Sequence, residues 1–139
     1  MLTPSLEDYL EEIYNFSLED EKIRIRDIAD KLSVSPPSVV KGLKKLEIEG
    51  YIIYEKYKGI KLTEKGRLEG KRLVNRNNIL REFILMINPD CDQMIEAEAC
   101  EHYLSPSTIQ SFECLCGFFN KSPKILEAYQ EFKKGQKNR

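Results

Sequence analysis

The chain has 139 residues, enough for one hydrophobic core or two small lobes, with 41% hydrophobic and 32% charged residues, as in globular proteins. No run approaches the roughly 20 apolar residues of a membrane span, and the acidic N-terminus lacks the basic-then-apolar order of a signal peptide. A cytoplasmic protein is therefore expected, with its four cysteines reduced. With one histidine and no CxxC pair, a structural zinc site is not expected.

The net charge of −1 hides a strong asymmetry along the chain. Residues 1–21 contain seven acidic and no basic side chains, and residues 22–76 contain fifteen basic and seven acidic ones. Residues 77–139 contain seven basic and nine acidic ones. A basic middle between acidic flanks suggests a segment that binds a polyanion, joined to a segment that collects cations.

The first predicted element is a helix over residues 4–17. Thr3 can cap its free N–H groups, and proline fits the next position because its missing N–H would be unpaired there anyway. The same signal recurs at residues 35–36, 105–106 and 122–123. Asp8 and Glu11 lie three residues apart on the polar face of this helix. By themselves they favour a solvated face, with metal ligation as the alternative.

The stretch "IRIRDIADKLSVSPPSVVKGLKKLEIEGYI" predicts two helices, over residues 26–32 and 36–49, joined by a tight turn at 33–35. Gly50 ends the second helix. The following "YIIYEKYKGIKLT" predicts a β-hairpin around Lys58 and Gly59. Two helices with a three-residue turn, followed by a basic hairpin, are typical of a winged helix-turn-helix.

In such a unit the second helix enters the major groove, so its inward face is expected to be apolar (Val39, Leu43, Leu46) and its outward face polar. The predicted DNA-binding residues are Arg26, Ser35, Pro37, Ser38, Lys41, Lys44, Lys45, Lys56 and Lys58. These lysines, with Lys61, supply attraction that does not depend on base sequence. The alternative is a solvated lysine face on a helix that only packs. The agreement of helices, turn length, wing and charge favours DNA binding.

The remainder of the chain predicts helices alone. Residues 64–87 form one long helix with a rough apolar stripe of Leu68, Leu73, Ile79, Leu80 and Phe83, which "NPD" at 88–90 ends. Three more helices are predicted over residues 91–104, 106–120 and 123–134, and the last residues, "GQKNR", are expected to be disordered. The fold class is thus mainly α, with a winged helix-turn-helix domain over 1–71 and an all-α domain over 72–139.

The segment "EAEACEHYL" contains the only histidine in the chain. On a helix, Glu98, Glu101 and His102 fall within about 100° of one another, and Met94 and Ile95 share that arc. Carboxylates on an apolar stripe need compensation. Carboxylate and imidazole groups at spacings of three and four can bind one divalent cation. The alternative is a surface Glu–His pair at the edge of a helix.

The ordered segments "TPSLEDYLEEIY", "VSPPSVVKGLKKLEIEGYIIYEKYKGIKLTEKGRLEGKRLV" and "EAEACEHYLS" resemble the diphtheria toxin repressor superfamily, specifically its manganese transport regulator branch. The similarity covers nearly the whole chain. It implies a homodimeric repressor of metal-uptake genes that binds double-stranded operator DNA when metal-loaded. It also implies an α-helical metal-binding and dimerisation domain, with two divalent ions per subunit held between the two lobes.

The resemblance implies a set of metal ligands. The acids of "EDYLE" match Asp8 and Glu11, and the "ExxEH" motif matches Glu98, Glu101 and His102. A histidine normally follows the "KRLVxR" segment, and here that place is Asn77, whose amide oxygen is a weaker and harder donor. Iron-responding members have a methionine where this chain has Asp8 and a cysteine where it has Glu98. Hard oxygen donors therefore favour Mn²⁺, with Fe²⁺ or another divalent ion as the alternative.

Other functions remain open at this point. A regulator of the same fold could respond to Fe²⁺, Zn²⁺, Cd²⁺ or thiol oxidation through Cys100, although the cysteines, including Cys91, Cys114 and Cys116, favour core packing. A metalloenzyme would need a nucleophile or a separate general base at motif-like spacing, which the sequence lacks, so no enzymatic activity is expected. A dimeric interaction module without DNA binding is disfavoured by the basic charge of the winged helix.

Overall fold

The protein, described by a computed structural model at residues 2–19, 22–55 and 57–137, is built mainly from helices. The elements are α1 (Pro4–Ser17), α2 (Ile25–Leu32), α3 (Pro36–Ile48), β1 (Ile52–Glu55), β2 (Gly59–Leu62), α4 (Glu64–Ile87), α5 (Gln93–Cys100), a 3₁₀ turn (Glu101–Tyr103), α6 (Pro106–Lys121) and α7 (Pro123–Lys137). The predicted fold class is confirmed. None of the described helices combines the length and hydropathy that a bilayer crossing requires.

The chain divides into two compact units, Met1–Asn75 and Arg76–Arg139, and the division falls within α4. The predicted domain ranges, 1–71 and 72–139, stay predictions, since a compact unit is not by itself a unit that folds independently.

Local signals in the sequence set several helix ends. The hydroxyls of Thr3, Ser35 and Ser105 each accept a hydrogen bond from the backbone N–H three residues later, at 3.3, 3.3 and 3.2 Å. In each case proline occupies the start of the helix. Ser33 adopts a left-handed conformation (φ 53°) after α2, and Gly50 (φ 83°) follows α3. The tight turn predicted between α2 and α3 is therefore confirmed.

The first unit packs α1, α2, α3 and the hairpin around one core. Val39, Leu43 and Leu46, the predicted inward face of α3, are all fully buried against this core. Strands β1 and β2 pair antiparallel, with Ile52 opposite Leu62. Burying one face of α3 stabilises the helix in place and leaves its opposite face at the surface.

The first half of α4 buries two glycines, and Leu68 lies at its surface. Gly66, Gly70 and Leu73 are buried at spacings of four and three, whereas Leu68 is exposed, so its predicted place in the apolar stripe is wrong. A Cβ atom at Gly66 would lie 1.8 Å from the carbonyl oxygen of Tyr51, and one at Gly70 would lie 2.6 Å from Cβ of Tyr14. The helix therefore packs by close backbone approach, which a leucine at the contact would prevent.

Gly66→Ala is expected to lower the free energy of unfolding by about 1–3 kcal/mol, because a backbone oxygen cannot rotate away from the added methyl group as a flexible side chain can. Urea unfolding followed by circular dichroism measures the change. Gly117→Ala is the matched control, since a Cβ there meets no atom within 4 Å. This control is expected to be neutral or to stabilise the helix by up to about 1 kcal/mol. Equal effects of the two substitutions would contradict the close-packing argument.

The second unit has a smaller core of Ile79, Leu80, Ala97 and Ile109, beside which the rings of Phe83 and Phe112 stack at 4.2 Å between centroids. Helix α7 buries none of its side chains fully. Exposed apolar side chains lie on α6 and α7: Leu115, Phe118, Ile125, Tyr129 and Phe132. Their spacings of three and four residues place them on one side of each helix, and this set is called the apolar face of α6 and α7.

The C-terminal end of α7 is held against the segment that follows α4. The Lys137 ammonium lies 2.8 Å from the Asp90 carboxylate, and Lys133 donates to the carbonyl oxygen of Ile87. Residues 135–137 are part of α7, so the disorder predicted for them is wrong, and residues 138–139 lie outside the described residues. Lys137, the last residue of α7, is thus paired with a group far away in sequence.

The segment predicted as one helix over 91–104 is divided. Helix α5 ends at Cys100, and Glu101–Tyr103 form a 3₁₀ turn, which has three residues per turn instead of 3.6. Met94 and Ile95 are 60% and 66% exposed, so the predicted apolar arc shared with the carboxylates is wrong. A single helical wheel does not describe this segment, because the winding changes at Cys100.

Candidate metal centre and nucleic-acid interface

The outward face of α3 presents the predicted DNA-binding side chains. The exposed residues there are Ser35, Pro37, Ser38, Lys41, Lys44 and Lys45. Arg26 is also exposed, on α2, and Lys58 is exposed at the tip of the hairpin, 3.4 Å from Glu55. Lys56 lies outside the described residues. The face combines cations, which attract phosphates, with hydroxyl groups that can donate to or accept from base edges.

The hairpin is tied to the rest of the first unit by two polar contacts. The Lys22 ammonium donates to the carbonyl oxygen of Tyr57 at 3.0 Å, and the Glu47 carboxylate accepts from the backbone N–H of Tyr54 at 2.7 Å. These contacts hold the hairpin beside α3, as a wing that contacts DNA requires. Lys22 is not among the predicted residues, and the only feature of the sequence that points to it is its place at the start of the basic segment.

The second unit contains a buried polar cluster. The Glu101 side chain is 2% exposed and the His102 side chain 7%, with 3.6 Å between Glu101 Oε1 and His102 Nε2. Asn77 Nδ2 donates to Glu101 Oε2 at 3.0 Å. Three residues predicted as metal ligands are therefore in contact, and the 3₁₀ turn after α5 presents two of them to α4.

The other predicted ligands lie elsewhere on the chain. Glu98 is exposed on α5, a turn before the buried pair. Asp8 and Glu11 lie on α1, in the first unit, and both are half-buried, unlike the fully solvated acids that the helix pattern alone favoured.

A buried arginine completes the cluster. Arg76 is 6% exposed, and its Nη2 lies 3.3 Å from His102 Nδ1. Among the described residues the buried charged side chains are Glu7, Arg76 and Glu101, and two of these three belong to this cluster. Arg76 was not predicted as part of a site. The sequence does contain an indication of its burial: Arg76 is three residues after Leu73 and four before Leu80, so it lies on the buried face of α4, where a charged residue is unusual.

The donor set fits a hard or borderline divalent ion. A carboxylate that is almost fully buried is costly unless a cation compensates it, and carboxylate oxygen with imidazole nitrogen suits Mn²⁺ and its neighbours. Asn77 faces Glu101 with its amide nitrogen, because a carboxylate only accepts hydrogen bonds. In this arrangement Asn77 orients Glu101, and metal ligation through its Oδ1 atom stays a prediction.

Cys100 lies directly before the buried pair but is poorly suited to either metal binding or redox sensing. Burial raises the pKa of its thiol, and the nearby Glu101 and Glu96 carboxylates raise it further. Its sulfur also donates to the carbonyl oxygen of Ala97 at 3.6 Å. Because the thiolate is the form that ligates metals and attacks oxidants, a raised pKa disfavours both roles. Cys116 is buried as core packing predicts, whereas Cys114 is exposed.

Comparison with protein families matches both units. Residues 1–60 match the iron dependent repressor, N-terminal DNA binding domain, and residues 63–129 match the iron dependent repressor, metal binding and dimerisation domain. The HTH-type transcriptional regulator MntR of Bacillus subtilis (strain 168) is 43% identical over 122 residues, which cover 87% of this chain and 86% of that protein. The MntR of Lysinibacillus sphaericus (strain C3-41) is 40% identical over 134 residues, 96% of each chain.

Solved structures agree with these matches. The manganese regulator SloR superposes with a TM-score of 0.73 at 34% sequence identity, covering 84% of this chain and 55% of that one. The manganese-activated repressor ScaR in its apo form gives a TM-score of 0.64 at 30% identity, covering 78% and 52%. This chain therefore spans about half the length of these two solved chains.

Proposed function

Because the chain belongs to the iron-dependent repressor family and matches manganese transport regulators over nearly its whole length, we propose that it is a transcriptional repressor that binds operator DNA as a homodimer when loaded with Mn²⁺. The resemblance found in the sequence is confirmed. The observation that carries the proposal is the buried Glu101–His102 pair, in a chain whose other unit is a winged helix. The relatives are named as transcription regulators, and no enzymatic activity is proposed.

The proposed metal ligands are Asp8, Glu11, Asn77, Glu98, Glu101 and His102, with two ions per subunit. When bound, the metal supplies positive charge that offsets the carboxylates. Of these residues, Glu101 and His102 are the most deeply buried, and Asn77 orients Glu101. Because Asp8 and Glu11 belong to the unit that carries the DNA-binding helix, ligation by these acids would link metal binding to the placement of that helix.

The proposed DNA contacts are the exposed face of α3, the flanking Arg26 and the wing, with Lys56 and Lys58. A homodimer places two such helices on successive major grooves, so a palindromic operator is expected. The apolar face of α6 and α7 is the proposed surface for the second copy, in the unit that matches a dimerisation domain. Binding to chromosomal DNA implies a cytoplasmic protein.

The identity of the physiological metal ion is a separate question from metal dependence itself. ScaR, which is about 30% identical to this chain, has been solved with bound Zn²⁺ and with bound Cd²⁺. Fe²⁺, Zn²⁺ and Cd²⁺ are therefore the alternatives to Mn²⁺ for this chain. A panel of ions in the same DNA-binding assay distinguishes them.

The experiment that tests the function is a mobility-shift titration with a palindromic operator fragment from upstream of a metal-uptake gene. Mn²⁺ is expected to tighten binding by about 5–150-fold relative to a chelated sample, the usual range for coupling between two sites. Equal binding in both samples would exclude metal-dependent repression. A scrambled duplex of the same length separates operator recognition from general attraction to phosphate.

Asn77→His is expected to tighten Mn²⁺ binding by about tenfold, because an imidazole replaces an amide that presents its nitrogen to Glu101. Calorimetric titration measures the affinity and the number of ions bound. Asn78→His is the matched control, since Asn78 is the next residue on α4 and is exposed. If both variants bind Mn²⁺ as the wild type does, position 77 does not take part in ligation.

A further inference from the structure

Four polar side chains of the second unit form a largely buried cluster, linked by two hydrogen bonds and one close Glu–His pair. Arg76 contacts His102 Nδ1, His102 Nε2 faces Glu101 Oε1, and Asn77 Nδ2 donates to Glu101 Oε2. All four residues lie between 76 and 102, within one compact unit. These contacts give both the Glu101 carboxylate and the His102 ring partners within the protein.

The direction of the Arg76–His102 hydrogen bond follows from the chemistry of the two groups. A guanidinium has N–H donors and no acceptor, so His102 Nδ1 must accept. A neutral imidazole has one nitrogen with a lone pair and one with an N–H. The N–H is then on Nε2, where it faces the Glu101 carboxylate at 3.6 Å. The contacts of the ring with Arg76 and with Glu101 require the same arrangement of its single proton.

A metal ion would bind the His102 ring through a nitrogen lone pair, and the single lone pair of the neutral ring already accepts the hydrogen bond from Arg76. Ligation through Nδ1 would displace the guanidinium directly. Ligation through Nε2 would move the ring proton to Nδ1, where it would point at the N–H groups of Arg76. The hydrogen bond from Arg76 and a metal–His102 bond are therefore mutually exclusive.

We propose that Arg76 is a resident competitor of the metal, which must release His102 before an ion binds and thereby raises the metal concentration needed for loading. This inference rests on the proposed function, because it takes His102 as a ligand. The guanidinium also places a positive charge beside the ion, which further opposes loading. Arg76 is thus a positioning residue that sets the threshold of the sensor.

The first test reads the ring directly in the metal-free wild-type chain. His102 is the only histidine, so a long-range ¹H–¹⁵N spectrum of the imidazole shows one ring and needs no assignment. The proton is expected on Nε2. A proton on Nδ1 would overturn the proposal. Zn²⁺ is diamagnetic, and adding it is expected to change the ¹⁵N chemical shifts of both ring nitrogens. Unchanged chemical shifts would exclude His102 as a ligand, and with it the proposed metal site.

The second test compares variants by Zn²⁺ and Mn²⁺ titration calorimetry. Arg76→Met removes the donor and the charge while keeping an unbranched chain, and it is expected to bind both ions about tenfold more tightly. Arg76→Lys keeps the charge and is expected to bind with an affinity between those of the wild type and Arg76→Met. Arg81→Met is the matched control, because Arg81 lies on the same helix and bonds to Asn78.

Metal binding by Arg76→Met that is equal to or weaker than that of Arg81→Met would overturn the proposal, since a purely structural arginine predicts that result. Circular dichroism shows whether each variant is folded. If Arg76→Met does not fold, the proposal is tested by the imidazole spectrum of the wild type and by the metal affinity of Arg76→Lys. Metal binding by Arg76→Lys that is weaker than that of the wild type would overturn the proposal.

Discussion

Glu101→Gln is expected to lower Mn²⁺ affinity by more than 100-fold and to remove Mn²⁺-dependent DNA binding. Loss of the hydrogen bonds that merely support a ligand already costs about 10–100-fold, and this substitution removes a charged ligand itself. Glutamine has nearly the same shape as glutamate, and its amide oxygen can still accept from Asn77. The loss should therefore arise from metal binding and not from unfolding.

Two measurements separate these causes. Calorimetry with Mn²⁺ gives the affinity, and circular dichroism of the metal-free variant gives the fold. Glu96→Gln is the matched control, because Glu96 lies on α5 and is exposed. Unchanged Mn²⁺ affinity in Glu101→Gln, in a folded chain, would remove Glu101 from the ligand set.

A triple substitution on α3, Lys41→Ala with Lys44→Ala and Lys45→Ala, is expected to weaken DNA binding by about 100-fold at physiological salt. Each lysine that contacts a phosphate releases a counterion, so the slope of log affinity against log salt should fall by about 3. All three side chains are exposed on the face opposite Val39 and Leu43, so their removal leaves the core of the first unit unchanged.

A matched control removes the same charge from the other unit. Lys121, Lys124 and Lys134 are exposed on α6 and α7, and their replacement by alanine lowers the net charge equally. Because long-range attraction falls off within about 10 Å at 0.1 M salt, this control should change the slope by less than 1. Equal slopes for the two triple variants would show that α3 is not the contact surface.

Elements with local causes were predicted closely from the sequence. The bounds of α1 and α4 match their predicted residues, and those of α2 and α3 differ by one residue at one end each. Capping hydroxyls, prolines and a left-handed glycine act within one turn of the chain, and the apolar face of α3 repeats with a helical period. Such signals need no knowledge of the rest of the fold.

Features that depend on tertiary packing were not predicted. The exposure of Leu68 follows from glycines that allow backbone approach, and the change of winding at Cys100 separates exposed Glu98 from buried Glu101. Arg76 belongs to the cluster because the 3₁₀ turn packs against α4 and brings His102 to it, a contact between residues 26 positions apart. Asn77, Glu101 and His102 were predicted as ligands, Asn77 through the family resemblance alone, whereas Arg76 and the contacts among the four side chains were not predicted.

The apolar face of α6 and α7 links the stability of the protein to the amount present. If a second copy covers Leu115, Phe118, Ile125 and Phe132, dilution exposes them, and the folded state loses that burial. The midpoint temperature of thermal unfolding should then rise with protein concentration, because mass action favours the dimer at higher concentration. In a cell, newly made chains would be most vulnerable to proteolysis at low abundance, so the steady level of the regulator would depend on how fast its copies find each other.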